Sequence, residues 1–386
     1  MTFNARLMLR LLSHSFFRAR NTPGRLCPQR VGFLVTQMLL FYPLLGAAHR
    51  LAWAADRLLF PGFRRQEVRE PVFIAATQRS GTTLLMRTLQ RDPQFVPMDL
   101  WESLLAPSVV QRKLAWALKA LDDRVGQPLQ RGWVRLEARW SQMPNTRDYF
   151  RVHRLSFLQP EEDAQLLLHQ AACYDLLAFF PFPELLADYA DYSRRVPAKR
   201  RRQEMAFYRS MLQRHLYAHG GGRHLSKPPT FSSAMPDLRA AFPDAKFIHL
   251  VRHPAEVIPS ALTLWYGHWR MNGCPGDVRR EARILAGVYC LWYRRLHEDL
   301  ADLPPHRYVR VGYRDLTQNY RQTVHRIYEQ LELAMPPALA RYLEAEDARV
   351  RAYRSRNKYT LEQWGLSRED LARLCAGVAE MYGFTF

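Results

Sequence analysis

The sequence predicts an α/β fold, with a mostly parallel central sheet, helices on both faces and a helical cap. Three observations carry that prediction. Short apolar runs at Val72–Thr77, Lys246–Val251 and Tyr308–Val311 suit strands buried on both faces, and a fourth strand is expected near Leu225. Two of these runs turn directly into helical patterns, as parallel strand–turn–helix units do. The stretch 104–214 reads as largely helical with long charged segments, a cap inserted between strands.

At 386 residues the chain has length for two to three domains, although one α/β domain with insertions uses most of it. Its net charge of +20, carried mainly by arginine, favours polyanions, anionic lipid surfaces or phosphorylated small molecules. No zinc-finger spacing, RNA-recognition signature or basic-region heptad accompanies that charge, so no nucleic-acid partner is expected. The five cysteines (Cys27, Cys173, Cys274, Cys290, Cys375) are scattered and never form a CxxC pair. They predict no disulfide framework, no structural zinc and a reducing compartment.

Residues 1–70 read as a separate basic and apolar segment. Arginines stand among Leu and Phe up to Arg30, and Val31 to Ala48 then carries no formal charge. Eighteen helical residues reach about 27 Å, short of a ~30 Å hydrocarbon core. Gln37 and Pro43 weaken a span further, and arginines on both flanks give no orientation. Three readings stand: a helix buried against the main domain, an in-plane or re-entrant membrane anchor, and a true single span. The late start of the apolar run argues against a signal peptide.

The next element is the most informative. A strand over Val72 to Ala76 turns through Gln78-Arg79-Ser80-Gly81-Thr82-Thr83 into a helix with Leu84, Leu85, Thr88 and Leu89 on one side. The free N–H groups of a first helical turn, small hydroxyls and an arginine fork together make a phosphate site. A nucleotide triphosphatase would show GxxxxGK[ST], with a lysine on the terminal phosphates and a hydroxyl on Mg²⁺. No lysine follows Gly81 here, so the loop suits a phosphate-like group without a metal.

A second such unit lies downstream. Lys246 to Val251 is strand-like, Arg252 ends it, Pro254 suits the first turn of a helix, and Ser260 follows. Pro259 predicts a kink or break near Ser260. Arg252 and Ser260 at this spacing can meet one phosphate at the carboxyl edge of a parallel sheet.

QRSGTT after a strand, with FIHLVRHPAEVIPSAL further on, resembles the paired phosphosulfate-binding segments of the PAPS-dependent sulfotransferases. The Arg-Ser-Gly-Thr-Thr loop is similar to that of the bacterial and tyrosylprotein-sulfotransferase-like branch. Looser likenesses follow: Trp101-Glu102 after DPQFVP, His153 with PEED at Pro160 to Asp163, and Leu225-Ser226-Lys227-Pro228. VGYRDL at Val311 to Leu316 and KYTLEQWGLS at Lys358 to Ser367 resemble late family segments. The likeness runs from about Pro71 to the C-terminus, and Pro229 after Pro228 departs from the pattern.

The resemblance implies a P-loop-like fold and 3′-phosphoadenylyl sulfate (PAPS) as co-substrate, with no metal. Arg79, Ser80, Gly81, Thr82 and Thr83 would hold the 5′-phosphosulfate, and Arg252 with Ser260 the 3′-phosphate. Arg79 and Lys227 are candidates for the charge that builds on the sulfuryl oxygens and the leaving phosphate. The acceptor hydroxyl needs a base. Glu102 is the first choice, its pKa raised by partial desolvation beside Trp101, unless it merely balances a helix N-terminus. His153 is the alternative base, unless it is a core histidine. The basic stretch Arg349 to Lys358 closes over the cofactor or is a solvated helix end, with Lys358 placed nearest the phosphates. Trp265, Tyr266 and Trp269 line an apolar acceptor pocket or pack the core.

The expected activity is sulfuryl transfer to an acceptor hydroxyl on a lipid, a glycan or a protein tyrosine. A P-loop-type nucleotide kinase and a non-catalytic protein binding polyanions or membrane surfaces are the alternatives. The expected location is the cytoplasm, in association with the inner membrane through residues 1–70, or a Golgi membrane in a eukaryote.

Overall fold

In the computed structural model, residues 3–153, 155–353 and 358–386 are described. Five strands form one wholly parallel sheet in the order β2-β3-β1-β4-β5. They are β1 (Val72–Ala75), β2 (Phe95–Pro97), β3 (Arg223–Ser226), β4 (Lys246–Val251) and β5 (Tyr308–Gly312). Val72 pairs with Leu225 on one side and with Lys246 on the other, which puts β1 at the centre. Its alternate side chains enter two separate cores. Phe73 and Ala75 join the larger one, while Val72, Ile74 and Ala76 join the smaller. Both faces are therefore covered, and this is why the run is apolar throughout rather than alternating.

On the N-terminal side lie α1 (Ala5–Phe17) and α2 (Pro28–Leu59), the latter including a π-helical stretch at Leu34–Phe41. After β1 come α3 (Thr82–Leu89), α4 (Leu100–Leu104), α5 (Val109–Arg124), α6 (Pro128–Gln142) and α7 (Arg147–Val152). Then follow α8 (Ala198–Ala218), α9 (Pro254–Met271), α10 (Arg279–Leu300), α11 (Arg368–Leu374) and α12 (Ala376–Tyr382).

The first seventy residues, set apart by composition, share the larger core. Leu7, Met8 and Leu11 of α1 and Leu34, Met38 and Trp53 of α2 are buried in it. Asp56 near the end of α2 meets Arg214 of α8 at 2.8 Å, both fully buried. Yet α2 is not a buried helix. Its 32 residues span about 48 Å, and only one side packs along that length, through Arg30, Leu34, Met38, His49, Trp53 and Asp56. Leu40, Leu44, Leu51, Leu58 and Leu59 stand exposed on the rest.

Two expectations are corrected. Pro259 does not break its helix, because α9 runs unbroken from Pro254 to Met271. The hydrogen bond that proline forfeits belongs to Ala255, one residue past the helix start. Buried Val257, Ile258, Ala261 and Leu262 hold the segment on the sheet. The cysteines are not all free either: Cys290 of α10 and Cys375 form a disulfide across 85 residues of sequence. That separation hides the pair from any motif, whereas the fold packs both sulfurs together in the core.

Candidate functional site

The two strand–turn–helix units expected to hold anions meet at the carboxyl edge of the sheet. β1 leads into the loop and α3, where Leu84 N–H already reaches the Gly81 carbonyl at 3.1 Å and the N–H groups of Thr82 and Thr83 come before any intrahelical acceptor. Gly81 takes φ +96°, and a Cβ there would lie 2.7 Å from the Tyr313 ring, so only glycine fits. Arg79 also adopts a left-handed φ of +70°. Ser80 Oγ lies 2.9 Å from Thr77 Oγ1 inside the turn. Thr82 is buried and Thr83 is exposed at the helix start.

Arg79 and Arg252 cross between the motifs. Arg79 Nε donates to Ser260 Oγ at 3.0 Å, and an Arg252 guanidinium nitrogen donates to the Arg79 carbonyl at 3.1 Å. Arg252 also pairs with Glu256 at 2.8 Å and lies 4.1 Å from the Tyr313 ring centre. Tyr293 OH donates to the Arg252 carbonyl at 2.5 Å. Beside this junction, at the ends of β4 and β5, opens a cavity of about 540 Å³ whose lining includes Arg252, Arg310, Arg314, Arg326, Tyr313 and Phe384. Four arginines, with Glu256 and Asp315, line this cleft, whose volume is within the size range of small-molecule sites. Tyr313, from the VGYRDL segment, is a site residue that the sequence reading did not single out.

Lys227 follows β3 and is buried. Its ammonium donates to Glu161 Oε2 at 2.9 Å. Burial disfavours that charge, but the Glu161 and Glu162 carboxylates outweigh it and hold the pKa above the ordinary lysine value. Burial works against the charge on Glu161 as well, yet Lys227 and His153 draw its pKa down to about 2. His153 Nε2 lies 3.5 Å from Glu161 Oε1, and its Nδ1 lies 3.2 Å from Tyr149 OH.

Glu162 is the residue that sequence reasoning missed. It is half-buried, hydrogen-bonded to the Gln78 side chain, and close enough to Lys227, Asp175 and Glu161 to feel their charges. Gln78 is itself held by Tyr289 OH at 2.5 Å, which fixes the amide that faces Glu162. Burial pushes the Glu162 carboxyl up to about 8; Lys227 opposes the rise and Asp175 and Glu161 add to it. Tyr149 and Tyr289, whose phenol pKa values burial raises, both feel Glu162 and Arg79, so carboxyl and phosphate loop share one neighbourhood. The signal lay in the run Glu161-Glu162-Asp163. Asp163 is consumed by His224, Tyr208 and Ser226 at 2.6–2.8 Å, and Glu161 by Lys227.

Glu102 is corrected. It is buried in the first turn of α4, where a capping box lets its Oε2 accept from the Asp99 backbone N–H at 3.2 Å. Oε1 meets Arg112 Nε at 2.9 Å and His219 Nε2 at 2.8 Å, with His215 Nδ1 3.6 Å away. Burial alone would raise its pKa, but the two histidines and Arg112 hold it well below the usual carboxylate range. A carboxylate so stabilised is a poor proton acceptor.

Trp265 and Trp269 are core residues, their indole N–H groups bonded to Tyr289 OH and the Leu177 carbonyl. Tyr266 is half-buried against Trp364. Lys358 is exposed, and residues 354–357 of the basic stretch before it lie outside the described residues.

The sulfotransferase family profile matches residues 71–337 of the chain. The chain is similar to the omega-hydroxy-beta-dihydromenaquinone-9 sulfotransferase Stf3 of Mycobacterium bovis, at 27% identity over 307 residues, 76% of this chain and 73% of that one. Stf3 of Mycobacterium tuberculosis aligns with the same figures. In fold it is similar to sulfotransferase STF9 from Mycobacterium avium, with a TM-score of 0.70, 17% identity, and coverage of 100% of this chain and 98% of that one. For sulfotransferase STF1 from Mycobacterium tuberculosis the values are 0.69, 18%, 97% and 92%.

Proposed function

Since this chain belongs to the sulfotransferase family, we propose that it moves the sulfuryl group of PAPS to a hydroxyl of a membrane lipid, at the cytoplasmic face of a bacterial inner membrane. The observation that carries the reading is the cross-linked pair of anion sites, Arg79 to Ser260 and Arg252 to the Arg79 carbonyl. This junction, which shares Arg252 with an arginine-lined cavity, suits a donor carrying phosphate at both ends of its ribose. The donor supplies an activated sulfuryl group whose leaving oxygen belongs to the 5′-phosphate.

The chain's own residues do the rest. Glu162 takes the proton of the acceptor hydroxyl as that oxygen bonds to sulfur. The electron pair of the breaking S–O bond leaves with the 5′-phosphate. Lys227, kept charged by its acidic neighbours, and Arg79 face the negative charge spread over the sulfuryl oxygens. His153, between Tyr149 and Glu161, positions the acidic segment rather than accepting the proton. A pKa near the working pH suits Glu162 to this task, and the ion-paired state of Glu102 does not.

A lipid acceptor is favoured by the exposed apolar side of α2, which suits a helix lying in the plane of a bilayer. A helix packed along its length on the catalytic body is poorly placed to cross the membrane. The name of Stf3, a sulfotransferase of a menaquinone derivative, points the same way. The Cys290–Cys375 bridge is buried, out of reach of cytoplasmic thiols. Thermal unfolding with adenosine 3′,5′-bisphosphate (PAP) and with ATP–Mg²⁺ tests the donor. We expect a rise in Tm with PAP alone; a rise with ATP–Mg²⁺ and none with PAP overturns the reading. Mass spectrometry of lipid extracts incubated with protein and PAPS is expected to show a species heavier by one sulfate.

A further inference from the structure

The α5–α6 hairpin is amphipathic in the inverted sense. On α5 the buried side chains are Val109, Arg112 and Asp122, two of the three charged. Arg112 is bonded to Glu102, and Asp122 accepts from the backbone N–H groups of Leu129 and Gln130 at the start of α6. The leucines point the other way. Leu114, Leu118, Leu121 and Val125 recur at steps of four, three and four, one stripe on one face, and are 54–70% exposed. α6 buries no residue at all, yet it carries exposed Leu129 and Val134. A soluble helix with its apolar stripe facing outward lacks the partner that such a stripe requires.

The charge argues for what that partner is. Exposed Lys113, Arg124, Arg131 and Arg135 are interspersed with the leucines, and the chain as a whole carries +20. A second copy of so basic a protein is repelled, whereas anionic headgroups are attracted, at about 1 kcal/mol per basic residue near the surface. Arginine and lysine stems also cover apolar surface while their heads reach the phosphates. The hairpin is tied to the C-terminal end of α2, where Asp56 caps the start of α5 through the backbone N–H groups of Val109 and Val110. Lys113 lies over the Phe60 ring, just past the end of α2.

We propose that the α5–α6 hairpin is a second membrane-seating element, inserting Leu114, Leu118, Leu121, Val125, Leu129 and Val134 beside α2 into an anionic bilayer. This rests on the reading of the acceptor as a membrane lipid, and it says how such an acceptor arrives. The chain leaves α6 through Thr146 into α7, whose Tyr149 holds the following His153, and His153 reaches Glu161 beside Glu162. An acceptor whose tail stays among lipids next to the hairpin can then present its hydroxyl to Glu162.

The test is flotation of the full-length protein with vesicles of phosphatidylcholine and phosphatidylglycerol in equal parts, and with phosphatidylcholine alone. The wild type is expected to float with the anionic vesicles and only weakly with the neutral ones. L118E/L129E is expected to lower the partition coefficient about a hundredfold, while keeping the Tm rise with PAP that shows an intact fold and donor site. Undiminished flotation of that variant overturns the proposal. So does sedimentation showing a wild-type dimer that L118E/L129E turns into a monomer, because the face would then bind a second copy. If PAP gives no Tm rise but flotation depends on the hairpin, the donor reading fails and the membrane seat stands.

Discussion

Three neighbouring acids, Glu161, Glu162 and Asp163, serve three ends, and only the fold separates them. Glu161 balances Lys227, Asp163 ties the cap to β3 through His224 and Ser226, and Glu162 keeps an elevated pKa beside the phosphate loop. Glu162→Gln is expected to lower kcat about 10²–10⁴-fold with the PAP-dependent Tm rise kept. As pH falls through about 8 the wild-type carboxylate gains its proton and the base is lost, so kcat should fall there and the limb should vanish in the variant. The stability sign is opposite. A carboxyl whose folded pKa exceeds the ordinary 4.5 contributes stability that is complete below 4.5 and lost as pH rises through about 8. Chemical denaturation should therefore favour Glu162→Gln over wild type increasingly as pH rises from about 4.5 to about 8, with the difference levelling off above that. The strand–turn–helix geometry around Arg79 to Thr83 was legible because a strand, a turn and a hydroxyl-rich helix start form one local pattern. The proposed base was not, because partners as distant as Lys227 and Gln78 decide which acid keeps an elevated pKa.

At the scale of elements, the strand–loop–helix unit from β1 to α3 depends on Gly81. Its positive φ, and the Tyr313 ring 2.7 Å from where a Cβ would stand, leave no room for a side chain. Gly81→Ala is expected to cost about 1–2 kcal/mol from the left-handed backbone alone, with PAP affinity reduced as Tyr313 is pushed from Arg252. Urea denaturation and PAP titration read the two effects separately. Strands β1, β4 and β5 were readable from their apolar runs, because strands buried on both faces have no other composition. β2, three residues at Phe95–Pro97, was not, since it is too short to show a period and is held as a strand by pairing with β3. The continuity of α9 was likewise invisible. Intrinsic propensity reads Pro259 as a break, and burial of its neighbours overrides it.

At the scale of the molecule, α10 and the C-terminal helices are joined by the Cys290–Cys375 bridge, with Cys375 between α11 and α12. Cysteine spacing could not reveal it, because 85 residues and several helices separate the partners. Cys375→Ser is expected to lower unfolding stability by about 2–4 kcal/mol, with the donor-site residues untouched. Guanidinium denaturation of wild type and variant, both without reductant, measures the loss, and equal midpoints would contradict it. The first seventy residues were legible in chemistry and not in placement. Their composition announced an apolar helix with basic flanks, but only tertiary packing shows one side of α2 buttressed and the other bare.

The proposed seating of α2 flat in a bilayer has a kinetic consequence. An enzyme held in the plane of its substrate's own solvent searches two dimensions instead of three, and it does so at a constant height and tilt. Its velocity should then follow the mole fraction of acceptor among the lipids, and diluting the vesicles with more water should leave it unchanged once the protein is bound. Diluting the acceptor with inert lipid should slow it at constant total acceptor.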